Sequence, residues 1–449
     1  MSNDTVALVG SSRSQDRLAL KHALMGLAGT SIEWYDFLLY GTAAALVFPT
    51  VFFPATLSPF VALVASFSTF AVGFVARPVG AVLCGHIGDT AGRKTAFALA
   101  LVMMGTATTL IGVLPSYRTA GVLSPLALVL LRLVQGLALG GQWGGSTLLA
   151  TENAPKSRRG LYGSIAQAGV PVGVVLGDLA FLVVSAVMSP AAFNAYGWRI
   201  PFLLSIVLVG FGLFVHFRVK DTATFRHIQK SRAVHGPRSP VLEALRRYPG
   251  LILLAATACV WEFFGFYILI TYVVAYGTST AGLQVPRGSM LAAVVIGLTA
   301  TSPTLFLAGM LSDRYGRRRV FMTGVVLLGI WAFIVFPLIE TRSLLWITVA
   351  IGVGVGFISV SYGPLAAMIS ELFSTQVRYS AISLSYQISS VVGGGLGPIT
   401  AAALYARYRS NFWISVLIAC TCAVALVCAS MLKETRGIDL GGPREPTVA

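Results

Sequence analysis

The chain has 449 residues, 56% of them hydrophobic and 11% charged, with a net charge of +16. A soluble globular protein of this length carries about a quarter of its residues as charged groups, so a water-soluble enzyme or binding module is excluded. The positive balance does not point to nucleic acid, because Lys and Arg sit in short stretches between apolar segments and not along one amphipathic face.

Residues 1–19 are polar, contain no cleavable leader, and read as an N-terminal tail. Twelve apolar spans follow, at roughly 20–48, 58–84, 95–115, 122–149, 160–188, 198–217, 250–277, 288–311, 320–338, 343–370, 378–405 and 411–432. Each has the length for a helix crossing a ~30 Å hydrocarbon core, which takes about 20 residues. Pro78, Pro171, Pro303 and Pro364 fall inside spans; in a helical bundle neighbouring groups satisfy the backbone that a proline frees. The predicted fold class is an all-α membrane protein of twelve transmembrane helices in two pseudo-symmetric six-helix halves. The first bundle covers 20–217, a basic linker 218–249, the second bundle 250–432 and a tail 433–449. The linker, with Lys220, Arg226, Lys230, Arg232 and Arg238, is expected to lie against anionic lipid. Cys84, Cys259, Cys420, Cys422 and Cys428 all fall in or beside apolar segments and have neither the spacing nor the partners of a metal site.

Counting Lys and Arg by side sets the orientation. With the N-terminus inside, 24 fall on the cytoplasmic side. Six fall opposite, at Arg118, Arg199, Arg287, Arg342, Arg407 and Arg409. The positive-inside rule therefore places both termini in the cytoplasm of a multi-pass protein of the cell membrane.

The chain also repeats itself. Gly85-His-Ile-Gly-Asp89-Thr-Ala-Gly92-Arg93-Lys94 returns in the second half as Gly309-Met-Leu-Ser-Asp313-Arg-Tyr-Gly316-Arg317-Arg318. Glu152 and Arg159 return there, at nearly the same offset, as Glu371 and Arg378. Offsets near half the chain length indicate two halves of common design.

Charged residues at membrane depth cost at least about 2.5–3.5 kcal/mol each, so they face the bundle interior and find partners. They are Glu33, Asp36, Arg77, Arg132, Asp178 and Glu262. Glu33, Asp36 and Tyr40 follow at three and four residues, which places them on one face of span 1, taken to be the cavity face. Arg132, Gln135, Leu139 and Trp143 share a face of span 4 in the same way. Glu262 stands where the counterpart of Glu33 falls in the second half, among Trp261, Phe263, Phe264, Phe266 and Tyr267, an aromatic run fit for a cavity wall. Asp178 either lines the pathway or bonds a neighbouring helix, and Arg77 either meets substrate or reaches towards the cytoplasmic side. Tyr362, Tyr386 and Gln387 are further polar candidates in the second half. Glycines at 169, 173 and 177, and Gly393-Gly-Gly395 in span 11, are the small residues that let helices approach closely.

The loop motif 85–94 resembles that of the major facilitator superfamily, with Thr90 where a basic residue is usual. Glu33-Trp34-Tyr35-Asp36-Phe37, Arg77-Pro78-Val-Gly80, Arg132-Leu-Val-Gln135-Gly136 and Gly197-Trp198-Arg199-Ile200-Pro201-Phe202 resemble its metabolite:proton symporters, most of all the shikimate and dicarboxylate carriers. One departure is Asp221-Thr222-Ala223, where relatives usually carry a proline. The resemblance implies proton-coupled symport of a small organic acid or zwitterion by alternating access. It implies no cofactor beyond the coupling proton, no enzyme activity and no obligatory protein partner. Proton-coupled sugar carriers of the superfamily pair an acid in span 1 with an arginine in span 4, and Asp36 and Arg132 match those places. Asp36 is thus the expected proton site; Glu33 beside it either shares that role, binds a substrate amine or bonds within its own helix. Arg132, Gln135, Tyr40, Trp143, Glu262, Arg77, Asp178 and Tyr386 are the expected substrate contacts. The superfamily's loop motifs act in gating. Asp89, Arg93, Glu152 and Arg159 are expected to form one cluster, with Glu152 bonding Arg93 or Arg159, and Asp313, Arg317, Glu371 and Arg378 a second. Proton-driven efflux and a non-transporting sensor with a carrier fold are the alternatives. The absence of Gly-x-x-x-x-Gly-Lys-Ser/Thr gives no support to ATP-driven transport.

Overall fold

A computed structural model describes residues 3–90, 93–207, 209–210, 213, 240–280, 282–375 and 377–440. Among these the chain is helical throughout its regular structure. Twelve helices form the bundle, with short helical turns between some of them: α1 Asn3–Leu46, α2 Pro59–Thr90, α3 Arg93–Val113, α4 Leu123–Glu152, α5 Lys156–Val187 and α6, opening at Arg199–Leu203, form the first half. The second half is α7 Pro249–Thr278, α8 Arg287–Tyr315, α9 Arg317–Glu340, α10 Leu344–Leu372, α11 Arg378–Tyr408 and α12 Phe412–Met431. Nine of the twelve are long and apolar enough, by the described residues alone, to cross a membrane. Their outward faces carry the exposed apolar side chains, such as Val75, Leu130, Val183, Leu253, Ile330 and Val427, as a lipid solvent requires.

α1 begins earlier than its apolar stretch suggests. The segment read as a polar tail is helical from Asn3 and runs unbroken into the membrane, because no proline occurs before Pro49 to stop it. Most of the linker read at 218–249 lies outside the described residues. Its end is the short helix Pro240–Arg247, after which Pro249 occupies the first turn of α7, a place where the missing N–H is unneeded.

Glycines set how closely the helices approach. A Cβ on Gly169 or Gly173 of α5 would come within 2.7 Å of the α1 backbone oxygens of Leu27 and Ser31 respectively. In α11 the glycine triplet makes a wide turn of five residues, and a Cβ on Gly393 would lie 2.5 Å from Val260 O and 2.6 Å from Phe263 Cβ of α7. These glycines let backbone meet backbone where side chains would hold helices apart. The two halves meet along α2 and α11, α5 and α8, α4 and α10, and α1 and α7, and the site lies on that seam.

Candidate functional site

The first half holds Arg132 in a pocket of rings. Its guanidinium carbon lies 3.8 Å from the Phe37 ring centre, 4.2 Å from Tyr40 and 4.8 Å from Phe70. Gly73 makes the room, since a Cβ there would sit 2.5 Å from Arg132 Nε. Nη1 donates to Gln135 Oε1 at 2.9 Å, whereas Nη2 has no hydrogen-bond partner. Cation–π contact of this kind strengthens as water is removed, and Arg132 is 0% exposed.

Asp36 is 1% exposed and turned elsewhere. Ser205 Oγ of α6 donates to its Oδ1 at 2.6 Å, and the Thr108 hydroxyl of α3 stands near the same carboxylate while donating to Met104 O at 2.9 Å. Asp36 and Arg132 form no ion pair with each other. Gln135 and Thr108 lie between them, Gln135 Nε2 donating to Thr108 Oγ1 at 2.8 Å. The shared-face expectation for span 1 fails for a geometric reason. Residues three apart are offset by about 60° around a helix, enough to send Asp36 to α3 and α6 while Glu33 stays beside Arg77 of α2. Glu33 and Arg77 are within electrostatic reach of each other, and Arg77 also acts on Tyr267 of the opposite half. Tyr40 donates to Thr69 Oγ1 at 2.7 Å, beneath Arg132. Asp178 accepts from Thr42 Oγ1 at 2.6 Å, so of its two expected places it takes the bond to a neighbouring helix.

A small cavity opens between the halves. Trp34, Val170 and Pro171 line it from the first half; Glu262, Phe263, Phe266, Tyr362 and Tyr386 are among its walls from the second. Towards the face that carries the C-terminal segment, the cavity is floored by contacts across the seam. Trp143 lies flat on Tyr386 with ring centres 3.6 Å apart, and its indole N–H donates to Tyr362 at 3.3 Å. Tyr379 donates to Gly141 O at 2.6 Å, Gln387 to Gly140 O at 3.0 Å, and Gln167 to Tyr362 O. On the other side rings close it: Trp34 meets Phe266 edge-on at 6.3 Å, and Phe74 meets Tyr267 at 5.2 Å. The cavity is thus bounded on both sides by contacts between the halves.

Below the floor lies the charged cluster, and its pairing corrects the expected one. Arg159 reaches Glu371 at 2.7 Å and Arg378 reaches Glu152 at 3.0 Å. Each glutamate takes an arginine from the opposite half, because the two copies of the motif face one another across the seam, and Glu371 also meets Arg317 of its own half at 3.4 Å, as the expected second cluster has it. Asp313 accepts from the backbone N–H groups of Gly160 and Leu161 at 2.9 and 3.0 Å and from Arg317 at 2.6 Å, an acid on the N-terminus of an opposing helix. The C-terminal segment runs beneath, with Thr435 donating to Glu371, and Ile438 and Leu440 carbonyls accepting from Arg159 and Arg378. The side chains of Asp89 and Arg93 lie outside the described residues.

Sequence reasoning missed Trp34 as a cavity residue and Ser205 and Thr108 as partners of Asp36. Trp34 stood inside the span 1 motif; nothing in the pattern marked the two hydroxyls. Arg77, which the sequence leaves between substrate and membrane face, stands on the seam.

Comparison with known proteins fits this arrangement. Residues 22–239 match the family model described as sugar (and other) transporter, and residues 288–446 match that of the major facilitator superfamily. The shikimate transporter of Escherichia coli (strain K12) is 39% identical over 93% of this chain and 95% of its own. The inner membrane metabolite transport protein YhjE of the same strain is 36% identical over 93% and 94%. The proline/betaine transporter of that strain is 30% identical over 92% and 83%. In fold the chain matches the proton:xylose symporter XylE bound to 6-bromo-6-deoxy-D-glucose, with a TM-score of 0.72, 18% identity and coverage of 95% and 98%. It also matches the partially occluded inward-open form of XylE from E. coli at a TM-score of 0.73, 17% identity, and 94% and 100% coverage.

Proposed function

Since the chain belongs to the major facilitator superfamily and is a membrane transporter, we propose that it carries a small organic acid or zwitterionic metabolite across the cell membrane together with a proton, by alternating access. The observation that carries the proposal is the separation of Asp36 from Arg132 in a closed arrangement. Asp36 meets hydroxyls and no cation, so taking up a proton there breaks no ion pair. Arg132 keeps one unused donor at Nη2, directed to whatever anion comes near. Gln135 and Thr108 join the two sites, so a carboxylate drawn to Arg132 and a proton on Asp36 are felt by each other through one polar chain.

Arg77 and Glu33 sit nearer the seam, behind the cavity that Glu262 lines, with Tyr40 holding the floor of the Arg132 pocket. Trp143, Gln135 and Tyr386 orient the ligand, and Asp178 acts through Thr42 by keeping α5 against α1. In this reading the charged cluster faces the cytoplasm, both termini lie there, and the crossed pairs hold the inner side shut until substrate and proton are aboard. Shikimate, carried by the 39% identical relative, is the first substrate to test.

The experiment is transport into proteoliposomes under an imposed pH gradient, comparing wild type with Asp36→Asn. Gradient-driven accumulation should fall roughly tenfold or more, while exchange of labelled for unlabelled substrate persists, because exchange needs no net proton movement. Loss of both activities together, in protein that still folds and binds substrate, refutes the coupling role. Retention of both refutes it equally.

A further inference from the structure

Two groups lining the cavity are left without a partner, the Trp34 indole N–H, a donor, and one carboxylate oxygen of Glu262, an acceptor. Glu262 is 5% exposed, and its Oε2 accepts no hydrogen bond. A buried acceptor of this kind costs stability unless something meets it. Around it stand the rings of Trp34, Phe263, Phe266, Tyr362 and Tyr386, with Ser359 and aliphatic side chains between them, and among the described residues no arginine or lysine lines the cavity. The cations of the region stand behind it, Arg77 acting on Tyr267 and Tyr386, Arg132 enclosed by its own rings.

We infer that Glu262 sets the chemical class of the substrate: a compact monocarboxylate whose far end carries hydrogen-bond donors, hydroxyl or ammonium, and not a second carboxylate. The inference rests on the reading of the chain as a carrier of small acids or zwitterions. The anionic end of the ligand turns to the arginine side. The donor end enters the ring-walled cavity and satisfies Glu262 Oε2, while the rings cover the apolar faces of a ring or short chain. A dicarboxylate in the same pose sets its second carboxyl group against Glu262 in a site with no cation to share, so that either one of the two must take up a proton or the two repel. A monocarboxylate bare of donors leaves the Glu262 oxygen as it is, unmet, and forfeits the gain.

The test measures binding to the purified full-length protein by calorimetry and competition with shikimate uptake in proteoliposomes. Four probes are compared: shikimate, proline, cyclohex-1-ene-1-carboxylate and succinate. Shikimate or proline should bind at least roughly tenfold more tightly than cyclohexenecarboxylate and succinate. Which of the two binds tells whether the donor is hydroxyl or ammonium. In Glu262→Gln the preference over succinate should shrink by roughly tenfold or more, with Glu262→Asp keeping the order of the four at lower affinity. Succinate or the bare ring binding within tenfold of the better donor-bearing probe overturns the inference, as does an unchanged preference in Glu262→Gln or a changed order in Glu262→Asp. If uptake of monocarboxylates is intact, such a result removes only the role of Glu262; if no carboxylate binds or is taken up, the transport reading falls with it.

Discussion

Replacing Glu371 by Gln should tip the carrier out of the closed state. Glu371 is 0% exposed at its side chain, accepts from Arg159 at 2.7 Å and Arg317 at 3.4 Å, and receives the Thr435 hydroxyl at 2.8 Å. Arg317 and Thr435 belong to the same half and its tail, so their losses weigh on every state and cancel in the equilibrium between them. Arg159 comes from the other half and keeps its contact only while the halves touch. Removing one partner of a buried pair costs about 3–5 kcal/mol, since the remaining charge stays buried and unpaired. When this face opens, water solvates Arg159 and the cost disappears. The closed state should therefore lose roughly a hundredfold or more in population against the state open at this face. Spin labels at the exposed positions Lys21 and Arg319 read the opening as a shift of their distance distribution. A distribution in Glu371→Gln that matches wild type, in protein that folds and binds lipid normally, refutes the reasoning. The double variant Arg159→Gln with Glu371→Gln should be displaced less than the sum of the singles, because it leaves no orphaned charge.

Gly393→Ala should lower the melting temperature and uptake together. Its Cβ meets the Val260 carbonyl at 2.5 Å, backbone that cannot step aside, and Phe263 Cβ at 2.6 Å, and overpacking of this kind costs about 1–3 kcal/mol; a thermal melt in detergent unchanged from wild type contradicts it. Asp178→Asn should be nearly silent in transport, because an amide oxygen still accepts from Thr42, whereas Asp178→Leu strands the buried hydroxyl and should cost about 1–3 kcal/mol. A large transport defect in the Asn variant, with unchanged stability, would move Asp178 from the helix seam to the substrate path.

The sequence was most informative where a signal depended on order along the chain. Apolar length, the placement of Lys and Arg, and the motif repeated at 85 and 309 each mark a helix, a side or a half without reference to neighbours. It was least informative where the answer depended on rotation or on the opposing half. Asp36 and Glu33 obey the three-residue rule, yet the part-turn left between them separates an acid facing α6 from one beside Arg77. Glu152 and Arg159 recur as Glu371 and Arg378, which establishes that the pairs are equivalent. Equivalence says nothing of which arginine each glutamate meets, because that is settled by a seam between segments from opposite halves of the chain.

The two sides of the cavity are closed by different forces, and the difference bears on how substrate drives the cycle. At the charged face, two ion pairs and the Asp313 contacts join the halves directly. At the opposite face, among the described residues, no ion pair joins them; Arg287 reaches Asn194 at 3.4 Å and lies over the Phe193 ring, and the remaining closure is ring against ring at Trp34, Phe266, Phe74 and Tyr267. Ring contacts are worth about 0.5–1.5 kcal/mol each, and among the described residues no ion pair adds to them on that side. A ligand seated between Trp34 and Glu262 touches both halves at the height of those rings. It thereby adds contact on the ring-walled side and leaves the charged side as it was. Substrate binding in this geometry favours closing the ring-walled side first, the order that the proposed uptake needs.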